Sequence, residues 1–306
     1  MKGHLECQPC LLRQALDVAR LVSDDEAAHA RVLRRVLRVL ARTDYRLPPP
    51  MIAYYVYRAL AKATRCGDPY LQAKERSNGM ALECAAWARE VIGRSRSPLD
   101  TALKLAAAAN VVDFGVGVRF DLKESLRHVL EKGLRLDDSA AFKEALARAR
   151  TLLYIGDNAG EIVFDKLLIE AIAAQYPALA RVFAVRGGPV INDITARDAE
   201  RVNMGEVAEV VSTGYAAPGV ILRRSSKKFL RVFAGADVVL AKGQGNYESL
   251  STTGGEKVFP EEVEEAPRLP LEGRANDGAP AIRKARGKIL AHLFDLSVVV
   301  RDAPHA

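Results

Sequence analysis

The hydrophobic pattern of the sequence changes near residue 150, and this change constrains the fold more than any other feature. Before that point, apolar residues recur at three- and four-residue spacing, which is typical of amphipathic helices. Turn-forming residues separate the segments, as at Pro48-Pro49-Pro50 and Ser97-Pro98. The predicted helices cover residues 8–22, 24–43, 51–65, 68–93, 98–112 and 122–149.

After residue 150, short apolar runs alternate with helical stretches. Runs of this length are typical of strands that are buried on both faces, so they predict a largely parallel sheet covered by helices. The whole pattern predicts a helical N-terminal domain over residues 1–148 and a doubly wound α/β domain over residues 149–306. Residues 251–283, rich in Glu, Pro and Gly, are interpreted as a long loop or lid. The predicted strands are Leu152–Ile155, Val182–Val185, Val207–Val211, Val238–Leu240 and Ser297–Val300.

Composition narrows the class of protein. No apolar stretch approaches the roughly 20 residues of a membrane helix, and the N-terminus lacks the apolar core of a signal peptide, so we expect a cytoplasmic protein. The net charge of +7 suits an enzyme that handles anionic metabolites. Because the basic residues are spread over several helices and aromatic residues make up only 6%, no specific nucleic-acid partner is expected.

The cysteines and histidines do not indicate a particular metal site or catalytic motif. Cys7 and Cys10 form a single Cys-x-x-Cys pair, with no second pair at the spacing of a zinc site. A structural metal or a redox dithiol are alternatives to the default, in which these are helix-entry or packing thiols. The five histidines form no ligand pattern, and their role is left unassigned.

Small and polar residues follow four of the predicted strands. In open α/β sheets, ligands bind outside the carboxyl ends of the strands, so these segments are expected to meet at one edge. This edge is therefore the predicted functional site. The segments are Gly156–Glu161, Arg186–Thr195, Ser212–Gly214 and Lys242–Glu248.

Asp157, Asn158 and Asp193 are the candidate metal ligands within these segments. A carboxylate next to an amide carbonyl suits a hard cation such as Mg²⁺ or Mn²⁺. Gly160 is small enough to let a phosphate approach the backbone, and Glu161 begins a predicted helix whose N-terminus would favour an anion. The alternative is that Asp157 or Asn158, and likewise Asp193, only caps a helix.

Lys242 ends a predicted buried strand, so it is poorly placed as a solvated surface charge. A lysine there is interpreted as a phosphoryl ligand that neutralises charge in the transition state. Two helical motifs are predicted to reach the same site: Asn78, which shares a helix face with Lys74, and the pair Asn110 and Asp113. Hydrogen bonding between helices is the alternative for both motifs.

Taken together, these motifs resemble the domain-of-unknown-function-89 family, and most closely its shorter microbial branch with an N-terminal Cys-x-x-Cys pair. The resemblance covers roughly residues 1–250. It is carried by Asp68-Pro69-Tyr70 with Lys74 and Asn78, Asn110-x-x-Asp113, Gly156–Glu161, Pro189–Asp193 and Lys242–Glu248.

The resemblance implies a fold and an activity. Members of the family are described as metal-dependent damage-control phosphatases, with a helical N-terminal part on a Rossmann-like three-layer α/β/α domain. By resemblance, Asp157, Asn158 and Asp193 bind the divalent metal, Lys242 contacts the phosphate, and the helical asparagines line the substrate pocket. At the C-terminus the family has an apolar strand ending in Lys-Cys, where this chain has Ala285-Arg286-Gly287-Lys288 after a polar stretch with little strand character.

The sequence therefore predicts a phosphatase that hydrolyses small phosphorylated metabolites with one divalent ion, Mg²⁺, Mn²⁺, Co²⁺ or Ni²⁺. Catalytic roles fall to Asp157, Lys242 and Glu161, and substrate binding to Asn78, Asn110, Asp113, Gly160 and Lys242. The sequence leaves open whether a metal-bound water or Asp157 attacks the phosphorus. The alternatives are a sensor that binds a phosphorylated metabolite without turnover and a methyltransferase, which would need a glycine-rich loop where Asp157-Asn158 lies.

Overall fold

The structure, a computed structural model, describes residues 2–109, 122–132, 138–250, 287–293 and 296–301. Asn110, Asp113 and the predicted lid at residues 251–283 lie outside these ranges. None of the helices in the described ranges is long and apolar enough to cross a membrane.

Seven helices in the described ranges precede the first strand. Proline occupies the first turn of α3 and of α5, where its missing N–H costs nothing. The single helix predicted over residues 122–149 is wrong, because α6 ends at Lys132 and α7 starts at Ser139. The helices are α1 (Cys7–Val22), α2 (Glu26–Leu40), α3 (Pro49–Thr64), α4 (Leu71–Arg94), α5 (Pro98–Ala108), α6 (Leu122–Lys132) and α7 (Ser139–Arg148).

The α/β part contains one sheet, with strand order β3-β2-β1-β4-β6-β5. β1, β2, β3 and β4 are mutually parallel, and β6 and β5 extend the sheet in antiparallel fashion. This confirms the predicted largely parallel sheet. The strands are β1 (Thr151–Ile155), β2 (Ala180–Val185), β3 (Glu209–Ser212), β4 (Val238–Lys242), β5 (Gly287–Leu293) and β6 (Leu296–Arg301), and the helices among them are α8 (Glu161–Gln175), α9 (Ala196–Arg201), α10 (Lys227–Gly235) and α11 (Gln244–Leu250).

Helices cover both faces of the parallel strands. Successive side chains of a strand point to opposite faces. Leu152 and Tyr154 of β1 therefore pack in the core cluster that contains the apolar face of α8, while Leu153 and Ile155 pack in the cluster that contains Phe229 of α10. The three layers explain why the strands are continuous apolar runs.

One strand was missed by the sequence analysis. β5 begins at Gly287, inside the segment where the chain departs from the family pattern, and pairs with β6. The strand predicted at residues 297–300 is confirmed as β6, which is longer by one residue at each end.

The N-terminal helices divide between two cores. α1, α2 and α3 have a cluster of their own, whereas α4 and α5 share the cluster of α8 and the sheet. The domain boundary at residues 148/149 stays a prediction. The sharing of a core brings α4 close to the loop that follows β1.

Candidate active site

Two loops at the carboxyl edge of the sheet are bonded to each other. The first follows β1 and carries Asp157 and Asn158, and the second follows β2 and carries Asp193. Asn158 and Asp193 form an isolated antiparallel bridge. The Ile194 amide donates to the Asp157 carbonyl oxygen at 2.8 Å, and the Ala159 amide donates to the Asn192 carbonyl oxygen at 2.9 Å. The three predicted metal ligands are thus held together by backbone hydrogen bonds.

Arg186 lies between the two carboxylates. Its Nε donates to Asp193 Oδ2 at 2.6 Å and its Nη2 to Asp157 Oδ1 at 3.1 Å. Its Nη1 donates to Asn246 Oδ1 at 3.1 Å, and the side chain is only 1% exposed. Burial alone would lower the pKa of Arg186, but the adjacent charges of Asp193 and Asp157 raise it. Arg186 is therefore a fixed positive charge inside the site.

Burial raises the pKa of Asp157 well above its usual range, and the charges of Asp193 and Glu161 raise it further. Burial also raises the pKa of Asp193, although the charge of Arg186 counteracts the rise. Like charges held close together in a buried site disfavour ionisation. A cation placed between these groups would relieve the repulsion.

The donor set fits a hard divalent cation. Asp157 and Asp193 offer carboxylate oxygens and Asn158 an amide oxygen, the ligand types that Mg²⁺ and Mn²⁺ prefer. In the described ranges no group of three or more His, Cys, Asp or Glu side chains is arranged to hold a metal ion. The third protein donor of this set would therefore have to be the amide of Asn158.

Lys242 is buried beneath these residues. Its Nζ lies 2.6 Å from Glu161 Oε2 and 2.9 Å from Asp165 Oδ1, and the side chain is 0% exposed. Tyr154 donates its hydroxyl to Asp165 Oδ1 at 2.7 Å. Burial raises the pKa of Asp165 to about 6, and the ammonium of Lys242 limits the rise. The predicted contact between Lys242 and a phosphate stays a prediction, because in the structure both recorded partners of the ammonium are carboxylates.

Glu161 connects this buried ion pair with the metal ligands. It begins α8, as the sequence predicts, and Asn158 Nδ2 lies 2.7 Å from Glu161 Oε1 and 2.9 Å from Asp157 Oδ2. These contacts form a continuous polar chain from Lys242 through Glu161 and Asn158 to Asp157.

Asn78 has a different environment from the one expected. Its Oδ1 accepts from the Gly160 amide at 2.7 Å, and its Nδ2 donates to Asp198 Oδ1 at 3.0 Å. The residue is fully buried. Both ends of the amide, and the Gly160 N–H that was expected to face a phosphate, are thus used within the protein. Substrate contact by Asn78 and Gly160 stays a prediction that these bonds do not favour.

Sequence reasoning missed the residues that hold the predicted ligands in place. Arg186, Asp165, Asp198 and Asn246 are all buried and bonded to site residues or to each other. One signal was available for Asp165: it follows Glu161 by four residues, so the two carboxylates share a face of α8. For Arg186 the signal was its position as the first residue after β2.

The chain matches the family profile described as "Damage-control phosphatase ARMT1-like domain" over residues 4–294. It belongs to this family. The damage-control phosphatase PH1575 of Pyrococcus horikoshii is 35% identical over 262 residues, which cover 85% of this chain and 90% of that protein. A damage-control phosphatase of Archaeoglobus fulgidus is 32% identical over 258 residues, which cover 82% and 88% of the two chains.

A solved structure agrees with these relatives. The crystal structure of the Pyrococcus horikoshii protein, described as a DUF89 family protein, matches with a TM-score of 0.78 and 33% identity, and covers 82% of this chain and 88% of its own. The family that the motifs indicated, and the phosphatase function in metabolite damage control, are thereby confirmed.

Proposed function

We propose that this damage-control phosphatase is metal-dependent and hydrolyses phosphomonoesters of small metabolites at the edge formed by Asp157, Asn158 and Asp193. The proposal rests on the charge of the buried cluster. Asp157, Asp193, Glu161 and Asp165 supply four carboxylates, while Arg186 and Lys242 supply two cations, and all six side chains are largely or fully buried. With all four carboxylates ionised, the six groups carry two net negative charges, which one divalent ion would balance because buried charges need compensation.

Asp157, Asn158 and Asp193 would hold the ion. A bound divalent cation supplies Lewis-acid polarisation of a phosphoryl oxygen. The protein's own groups contact these donors: Arg186 bonds both carboxylates, and Glu161 contacts the Asn158 amide.

Lys242 acts in this proposal by positioning and by charge. Its ammonium is held 2.6 Å from Glu161 Oε2, so it holds the Glu161 carboxylate in place, with Oε1 directed at Asn158. In a low-dielectric site a fixed positive charge also stabilises negative charge that develops on a nearby phosphoryl group. Direct contact with the phosphate would require Lys242 to leave one of its two carboxylates.

The test is phosphate release from a panel of phosphomonoesters, first with EDTA and then with Mg²⁺, Mn²⁺, Co²⁺ or Ni²⁺ restored. We expect release to stop with EDTA and to return with metal. The Asp157→Ala variant should lose turnover while remaining folded. Asp24→Ala, which removes an exposed carboxylate in the connection between α1 and α2, should keep wild-type rates.

Two outcomes would contradict the proposal. Wild-type turnover by Asp157→Ala would show that the site residues are assigned wrongly. Release that persists after complete chelation would show that the reaction needs no metal. Silence of the wild type with every metal would instead favour a protein that binds a phosphorylated metabolite without turnover.

A further inference from the structure

Arg186 is the most completely bonded charged side chain near the proposed metal site. It is the first residue after β2, and its backbone amide donates to the Ile194 carbonyl oxygen at 2.9 Å. Its guanidinium uses three different nitrogens to reach Asp193, Asp157 and Asn246. Asn246 in turn accepts from the Val220 amide at 3.0 Å and donates to the Lys242 carbonyl oxygen at 2.6 Å. The guanidinium therefore ties together segments that follow β1, β2, β3 and β4.

The choice of carboxylate oxygens is informative. Arg186 bonds Oδ1 of Asp157 and Oδ2 of Asp193, and Asp157 Oδ2 accepts from the side-chain amide of Asn158 at 2.9 Å. A guanidinium is planar and carries its donors in a rigid fork, so it fixes the orientation of both carboxylate planes relative to each other. Because one oxygen of each carboxylate is bonded to Arg186, the direction of the other oxygen is fixed as well.

We propose that Arg186 is a positioning residue of the metal site: it aligns Asp157 and Asp193 before the ion binds and keeps its bonds to them afterwards. This inference rests on the metal site proposed above. The two carboxylates repel each other, and Arg186, which is not itself a metal ligand, holds them close together. Residues that orient metal ligands in this way affect the affinity for the metal without touching it.

Arg186→Lys is the deciding variant, because it keeps the positive charge and removes the fork. A lysine ammonium cannot reach three acceptors in fixed directions. We expect the Kd for Mn²⁺, measured by titration calorimetry on the metal-free full-length protein, to rise by at least about tenfold. In phosphate-release assays, the rate of Arg186→Lys relative to the wild type should be reduced more at limiting Mn²⁺ than at saturating Mn²⁺.

Arg181→Lys is the matched control. Arg181 lies in β2, the strand that Arg186 follows, and its side chain donates to the carbonyl oxygens of Val207 and Leu179. The Arg181→Lys substitution should lower the melting temperature slightly. It should leave the Kd for Mn²⁺ within about twofold of wild type, because the bonds of Arg181 do not reach the site. An Arg186→Lys variant that binds Mn²⁺ as tightly as Arg181→Lys would overturn the proposal and leave Arg186 a purely structural residue.

A measurement on the wild-type protein tests the proposal even if the Arg186→Lys variant does not fold. The Arg186 Nε–H, bonded to Asp193 Oδ2 in a fully buried site, should give a slowly exchanging ¹⁵N-bound proton signal by NMR. This signal should persist in metal-free protein and after saturation with diamagnetic Mg²⁺. Its loss on Mg²⁺ binding would overturn the proposal, since Arg186 would then be displaced by the metal. Absence of any metal binding to the wild type would overturn the metal site itself, and the role of Arg186 with it.

Discussion

At the residue scale, the site depends on close approach of the backbone as well as on charge. Gly243 follows Lys242 and has φ of +82°, a left-handed conformation that favours glycine. A Cβ built on Gly243 would lie 2.0 Å from Asp157 Oδ2. The glycine therefore provides the space that the Asp157 carboxylate occupies.

Gly243→Ala tests this dependence. We expect the Asp157 carboxylate to be displaced, so that the affinity for Mn²⁺ falls by at least about tenfold. The strained backbone should also lower the free energy of unfolding by about 1–3 kcal/mol. Calorimetric titration with Mn²⁺ and equilibrium unfolding in urea measure the two effects.

Gly235→Ala is the control, because a Cβ there meets nothing within 4 Å and the residue does not have positive φ. It should bind Mn²⁺ as the wild type does. Unchanged Mn²⁺ affinity in Gly243→Ala would mean that Asp157 is not placed by this contact.

At the element scale, the helix α4 supports the loops of the α/β part. Asn78 joins α4 to the Gly160 amide at the start of α8 and to Asp198 in α9. One turn earlier, Lys74 Nζ lies 2.5 Å from Asp68 Oδ2 and 3.9 Å from Asp198 Oδ2. These contacts cross from a helix in the first half of the chain to the loop after β1 and to α9, which follows the loop that carries Asp193. The helical half therefore contributes to the order of the site.

Asn78→Ala should show this contribution as lost stability. The variant leaves the Gly160 N–H and an oxygen of Asp198 buried without their partner, and each unsatisfied group costs about 1–3 kcal/mol. We expect the free energy of unfolding in urea to fall by about 2–4 kcal/mol, and the KM for phosphate esters to rise because the loop after β1 loses its anchor.

Gln72→Ala changes an exposed residue of the same helix and should stay within about 0.5 kcal/mol of the wild type. If Asn78→Ala kept wild-type stability but lost substrate affinity, Asn78 would be a substrate ligand, as the family resemblance implied, rather than an anchor.

At the scale of the whole molecule, the sequence predicted the parts of the fold that depend on local periodicity. The apolar runs that became β1, β2 and β4 predicted a sheet buried on both faces, and the residues that follow them predicted the edge at which the site is proposed. The break before α7 was missed, and so was the whole of strand β5.

The ion-pair network could not be predicted in the same way. Arg186 and Asp157 are 29 residues apart, and Lys74 and Asp198 come from different halves of the chain. A buried charge is recognisable from sequence only if its partner is known, and the partner is set by the tertiary fold. The sequence therefore identified the candidate ligands by residue type, while the residues that hold those ligands became visible only in the structure.

The stability of the whole protein should depend on the metal. Burial and the charges of Asp193 and Glu161 raise the pKa of Asp157 above its unfolded value, so the metal-free native state binds more protons than the unfolded state in the interval between the two values. Its stability in EDTA accordingly falls as pH rises through that interval. Metal ligands must be deprotonated, so the gain from Mn²⁺ should grow in the same direction.

Thermal unfolding with EDTA and with Mn²⁺, at about pH 5 and about pH 8, measures this linkage. At a Mn²⁺ concentration of about 100 times Kd we expect a gain of about 2.7 kcal/mol, and a smaller gain at the lower pH because protons compete for Asp157. Asp157→Asn should lose most of the Mn²⁺-dependent gain, and its stability in EDTA should exceed that of the wild type at the higher pH because one buried charge is absent. An Asp24→Asn control should behave as the wild type. An equal Mn²⁺-dependent rise in melting temperature in Asp157→Asn and wild type would place the ion elsewhere in the molecule.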